Sequence, residues 1–214
     1  MVSVLVVAAC GLVYELLAAT LASYLLGSSV VQFSIVIGIY LASMGLGALV
    51  SEKITAHAAR RFIEVEVALA FVGGMSVPLL HLVFGRSGLF APVLWGLVAF
   101  IGALVGLELP LLMRLLREEM SFRDLVARAF FVDYLGALVA SVAFPLVLVP
   151  HLGLVRTGVA TGVCNALVAL WGTWALRERV EGSVTALRVT SCGVLGLLAA
   201  AMLEAPRIQA LAGD

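Results

Sequence analysis

The chain has 214 residues, 63% of them hydrophobic and 12% charged, with a mean hydropathy of +1.18; an ordinary soluble domain carries roughly 25% charged residues. That composition excludes a water-soluble globule, because no fold of this size hides so much apolar surface. The 13 basic and 13 acidic residues cancel, which leaves no bulk-charge argument for a nucleic-acid partner.

A helix needs about 20 consecutive, mostly apolar residues to cross a hydrocarbon core. Breaking the apolar runs at charged or Gly/Pro clusters gives seven candidate spans: residues 2–26, 31–50, 62–84, 89–113, 129–149, 154–176 and 184–203. The expected fold is all-α, a polytopic integral membrane bundle of about seven transmembrane helices. Residues 1–203 form the membrane domain, and 204–214 are a short tail or the start of a linker to a soluble domain. The first run stays apolar for about 25 residues without a basic leader, too long for a cleaved signal peptide. The links Gly27-Ser28-Ser29, Gly85-Arg86-Ser87-Gly88 and Pro150-His151-Leu152-Gly153 are short enough to make each joined pair an antiparallel hairpin.

Positive residues are retained on the cytoplasmic side of a membrane. The connections after spans two, four and six hold Lys53, Arg60, Arg61, Arg114, Arg117, Arg123, Arg128, Arg177, Arg179 and Arg188, against only Arg86, Arg156 and Arg207 opposite. The expected location is the cytoplasmic (inner) membrane with the N-terminus in the cytoplasm. An odd span count places the C-terminus outside, unless one segment is re-entrant or the stretch from Glu204 lies along the membrane surface.

Small residues recur inside the spans, among them Gly38, Ser43, Gly45, Gly47, Gly102, Gly106, Gly158 and Gly162. Helices in lipid associate by close backbone approach at such positions, so tight packing accounts for nearly all of them. Cys10, Cys164 and Cys192 stand singly in apolar stretches, with no metal-ligand spacing, and read as packing residues.

Chemistry concentrates in three acids well inside spans: Glu15 in the first, Glu108 in the fourth and Asp133 in the fifth. A carboxylate at the bilayer centre costs at least about 2.5 kcal/mol on insertion scales, so it faces a cavity or a partner. No basic residue lies at similar depth in sequence. Glu108 precedes Arg114 by six residues and Asp133 follows Arg128 by five, which sets both at one level, roughly 8 to 9 Å inside the cytoplasmic end. Glu15, near mid-span, is the expected floor of a pocket opening to the cytoplasm, and Tyr14 and Tyr134 offer aromatic faces to a cation. Pro110 and Pro145 are expected to interrupt their helices and to free the carbonyls of Gly106 and Ser141. Glu64 and Glu66, close to Arg60 and Arg61, read as interfacial, as do His81 and His151. No HExxH, GxSxG or Gly-rich dinucleotide turn is present, and neither is a metal-ligand set.

Several runs resemble membrane-anchored spermidine synthase-like proteins. These are Gly11-Leu12-Val13-Tyr14-Glu15-Leu16-Leu17-Ala18; Leu25 through Gly27-Ser28-Ser29 and Gln32 to Ser34; Gly106-Leu107-Glu108-Leu109-Pro110 with Arg114; Asp133-Tyr134-Leu135-Gly136-Ala137; and Pro145 to Leu154. Members of that family continue into a soluble aminopropyltransferase domain that uses decarboxylated S-adenosylmethionine and a polyamine. The resemblance implies that cofactor only for such a domain, none for this chain, and carries no catalytic residue over. A weaker similarity, at Gly47 to Lys53 with Arg60-Arg61, is to major facilitator transporters.

The functional expectation is a membrane domain that binds or passes a polyamine or related cationic metabolite through buried carboxylates. Glu15, Glu108, Asp133, Tyr14, Tyr134 and Gln32 are its ligand candidates. The partners are the lipid bilayer, a polyamine, and a soluble synthase domain or another membrane subunit. The alternative is an accessory subunit of a larger membrane assembly, whose acids only hydrogen-bond between helices.

Overall fold

A computed structural model describes residues 1–54, 56–84, 88–117 and 121–211, with side chains through residue 205. Among these residues there is helix and no strand: α1 (Val2–Leu26), α2 (Ser29–Ser51), α3 (Ala58–Phe84), α4 (Phe90–Leu116), α5 (Phe122–Ala143), a π-helical turn (Phe144–Leu148), α6 (Val149–Ala175) and α7 (Val184–Leu211). Among the described residues six stretches are long and apolar enough to cross a membrane, the fifth being Phe122–Ala175 taken as one run. Arg86 and its connection fall largely outside the described residues.

Local chemistry sets the boundaries. Between α1 and α2 the chain reverses at Gly27 (φ 73°) and Ser28 (φ 44°), two residues in left-handed territory. Ser121 caps α5 by accepting a hydrogen bond from the Asp124 amide, so that helix starts at Phe122, a full two turns before the apolar run does. Pro145 has no amide to give its helix, and the ladder widens into the π turn, with Val149 N–H bonded to Phe144 O. The expected link 150–153 is therefore mostly helix; the backbone breaks only at Gly153, at φ 73° and ψ 174°. Pro110, by contrast, sits inside an unbroken α4, and no unwound turn forms beside Glu108.

Close approaches fix how the rods run. Gly172 meets Ile63, Gly162 meets Ala70 and Gly74, and Gly158 meets Val77, so α3 and α6 are antiparallel. Cys10 Sγ lies 3.8 Å from Thr161 O while the later Leu17 reaches the earlier Gly158; α1 thus also opposes α6 and runs with α3. The α2–α4 contact is the tightest. A side chain at Gly47 would strike the Ala103 carbonyl, one at Gly106 the Met44 carbonyl, and one at Gly102 the Tyr40 carbonyl. Gly136 meets the Leu5 carbonyl in the same way, which seats α5 on α1. Gly38 and Gly45 have nothing within 4 Å, so packing does not account for those two.

The connections after α2, α4 and α6 gather at one end. Arg114 donates to Ile54 O and Arg179 to Leu115 O, His57 Nδ1 lies 2.7 Å from Glu181 Oε2, and Arg60 donates to Glu181 O at 3.5 Å. Basic residues that the sequence scatters over three connections are one cluster in space.

Candidate functional site

Two of the predicted acids meet. Glu108 on α4 and Asp133 on α5 line one cavity of about 450 Å3 between α1, α2, α4 and α5, whose other walls include Val7, Ala8, Met44 and Phe130. Glu108 is buried at 2% exposure and Asp133 is half-buried. The cavity is otherwise apolar, so the two carboxyls are its chemistry.

The other candidates are placed differently. Glu15 is half-buried but stands about two turns along α1 from Ala8, outside this lining. Tyr40 lies between them, its hydroxyl donating to Gly11 O at 2.7 Å, one turn before Glu15. The expected single pocket of three acids is thus a pair with a more distant third. Tyr134 points outward, 67% exposed, and stacks on Phe130, a residue of the cavity wall, at 6.0 Å. Gln32 is half-buried one turn into α2, with an enclosed, unpartnered Oε1, at the far end of that helix from Met44. His81 and His151 each bond the carbonyl one turn back, Val77 O and Val147 O, both at 2.8 Å.

Glu66 overturns its sequence reading. Glu64 takes both arginines, with Arg60 and Arg61 each 2.8 Å away, while Glu66 is fully buried at 0% exposure. The helical period explains it: Phe62, Ile63, Glu66, Leu69, Ala70, Gly73 and Gly74 form the buried stripe of α3. Glu66 lies side by side with Glu108 inside the bundle.

The interhelical register shows why these groups converge. The Tyr14 ring occupies the space beside Gly73, and Val105 packs on Gly11. Two turns back from Gly73 on α3 is Glu66; one turn on from Val105 is Glu108; one turn on from Thr161 is Asn165. All three fall at the level of Val6 to Ala8 on α1. The Glu66 and Glu108 carboxyls lie within hydrogen-bond reach of one another; no other described side chain donates to either Glu66 oxygen or to Glu108 Oε1, and Tyr14 Oη and Asn165 Oδ1 are buried without a hydrogen-bond partner. None of the ion pairs seen among the described residues, His57–Glu181, Arg60–Glu64 and Arg61–Glu64, reaches them. No group of three or more metal-ligating side chains occurs among those residues.

A second cavity, of about 590 Å3, opens at the basic end and is lined by Met1, Phe62, Leu112, Trp171, Arg177 and Arg179 among others. Its inner wall, Phe62 and Leu112, stops one helical turn short of Glu66 and Glu108.

Curated proteins match this chain along nearly its whole length. It is 50% identical over 197 residues to a polyamine aminopropyltransferase of Leptospira interrogans, a match covering 92% of this chain and 39% of that protein. It is 48% identical over 204 residues to polyamine aminopropyltransferase 2 of Ralstonia nicotianae, covering 94% and 40%, and 42% identical over 215 residues to polyamine aminopropyltransferase 2 of Streptomyces coelicolor, covering 94% and 39%. The chain is a homologue of the spermidine synthase-like proteins. It spans about two fifths of the length of these relatives. No family model and no solved structure matches it.

Proposed function

We propose that the chain is the membrane domain of a spermidine synthase-like protein and that its Glu108–Asp133 cavity binds a polyamine or related organic cation. The observation that carries this reading is the pairing of two carboxyls from different helices in one apolar cavity of about 450 Å3. Such a cavity suits a flexible alkyl chain ending in ammonium groups: methylenes lie against the walls, and the charged ends meet carboxyls that an apolar environment otherwise penalises. That homologues carry a polyamine in their names gives the same chemistry independently.

Purified in detergent, the unmodified chain should melt at a higher temperature in millimolar 1,4-diaminobutane at low salt, as mass action requires of a ligand that binds the folded form. Glu108→Gln and Asp133→Asn keep the shape and remove one charge each, and either should raise the half-saturating concentration by about tenfold or more. A melting temperature indifferent to every polyamine would sink the reading and leave the accessory-subunit alternative.

In this reading the chain crosses the inner membrane as seven spans, because Gly153 divides the Phe122–Ala175 run, with α1 starting in the cytoplasm. The gathering of Arg60, Arg61, Arg114 and Arg179 at one end supports that orientation. With the three native cysteines replaced by serine, Lys53→Cys should resist a membrane-impermeant thiol reagent applied from outside and His151→Cys should react. The reverse pattern inverts the topology.

A further inference from the structure

The Glu108–Asp133 cavity leaves the deepest polar groups unexplained. Behind Glu108, Glu66 is fully buried with its carboxyl within hydrogen-bond reach of that of Glu108, no other described side chain donates to either of its oxygens, and Asn165 Oδ1 is equally enclosed and without a partner. Three side chains from α3, α4 and α6 thus present oxygens at one level of the bundle that no outside donor reaches. An unsatisfied buried polar atom costs about 1–3 kcal/mol, and native interiors hold few of them. Four enclosed oxygens at one level, supplied by three helices and reached by no donor from outside the carboxyl pair, are the signature of a site whose ligand brings the donors.

From this we infer that Glu66, Glu108 and Asn165 form an inner station for one primary ammonium group, with Glu108 shared between it and the outer cavity. The inference rests on the reading of the Glu108–Asp133 cavity as a cation site and adds its end point. A primary ammonium has three N–H donors and no acceptor. It satisfies one oxygen from each glutamate and Asn165 Oδ1, while a quaternary ammonium, lacking N–H, satisfies none. Entry runs past Asp133. The cavity at the basic end is lined by Arg177 and Arg179 against one acid, Glu178, and a field of that sign turns cations away.

The test is a thermal titration of the unmodified chain with propylammonium, 1,4-diaminobutane, sodium and choline chlorides at matched ionic strength. Propylammonium and the diamine should raise the melting temperature; choline and sodium should not. Glu66→Gln should raise the half-saturating propylammonium concentration by about tenfold or more. Asp133→Asn should remove the diamine's advantage over propylammonium and leave the propylammonium shift in place. If the diamine has no such advantage, the outer-cavity reading fails while the inner station stands. Labelling of the unmodified chain by a lipophilic carbodiimide gives a second readout, in which propylammonium should slow modification of Glu66 and choline should not. Propylammonium binding to Glu66→Gln as tightly as to the unmodified chain, an equal shift from sodium, or an unprotected Glu66 each overturns the inner station.

Discussion

Replacing Gly106 with valine is expected to break the α2–α4 contact and to cost about 3 kcal/mol, the upper end of what overpacking costs in a well-filled interior. The size follows from what the new atoms would meet. At Gly106 the obstacle is the Met44 carbonyl, and the flanking approaches at Gly102 and Gly47 are likewise against backbone, the Tyr40 and Ala103 carbonyls. A side chain in the way turns to another rotamer, but a backbone carbonyl moves only with its helix. Relief therefore requires α2 to lift off α4 along its length, and α2 carries Tyr40, whose hydroxyl ties it to Gly11 O on α1. Gly38→Val is the control, because nothing lies within 4 Å of that position and valine is a slightly better helix former than glycine. Unfolding midpoints in a graded detergent series should fall sharply for Gly106→Val and stay near the unmodified value for Gly38→Val. Equal losses from the two would mean that the helices are not held by close backbone approach.

Much of this architecture was legible in the residues because it depends on one-dimensional quantities. Apolar run lengths reproduce α1 at Val2–Leu26 and locate the other rods to within about two turns. The break at Gly27 and Ser28 is visible as Gly-Ser-Ser. Boundaries failed where charge and helix coincide: Arg123, Asp124 and Arg128 ended the apolar run, yet all lie in α5 behind the Ser121 cap. Pro150 and His151 read as a link, yet they continue a helix that Pro145 has only widened. The site divides along the same line. Equal depth brought Glu108 and Asp133 into one lining as expected, since depth is a count along two helices. Glu66 was misread because proximity to Arg60 and Arg61 in sequence was weighed above the angle around α3, where the period of 3.6 turns Glu64 outward to those arginines and Glu66 into the bundle. Asn165 and Tyr40 gave no signal apart from lying on the small-residue faces of their helices. Which faces oppose one another is a property of the assembled bundle.

Joint replacement of Glu66 and Glu108 by methionine should raise the stability of the ligand-free chain, by about 1–4 kcal/mol if the pair behaves as other buried charged groups do when exchanged for apolar side chains of similar volume. Methionine is close to glutamate in length and flexible enough to fill the space without strain. It also removes three of the four enclosed oxygens at that level, leaving Asn165 Oδ1. Glu66→Met alone should gain less, because Glu108 then stays buried with Oε1 still unpartnered. The same exchange should abolish the response to propylammonium, and the two effects oppose each other once amine is present. At a concentration about 100 times its dissociation constant, a ligand that binds only the folded form stabilises it by about 2.7 kcal/mol, comparable with the gain expected from the double substitution. The stability order of the two proteins should therefore converge or invert as amine is added: the double variant ahead without it, the unmodified chain level or ahead at saturation. A double variant less stable than the unmodified chain in the absence of amine would mean that Glu66 and Glu108 are held by hydrogen bonds within the bundle, and that nature retains them for structure.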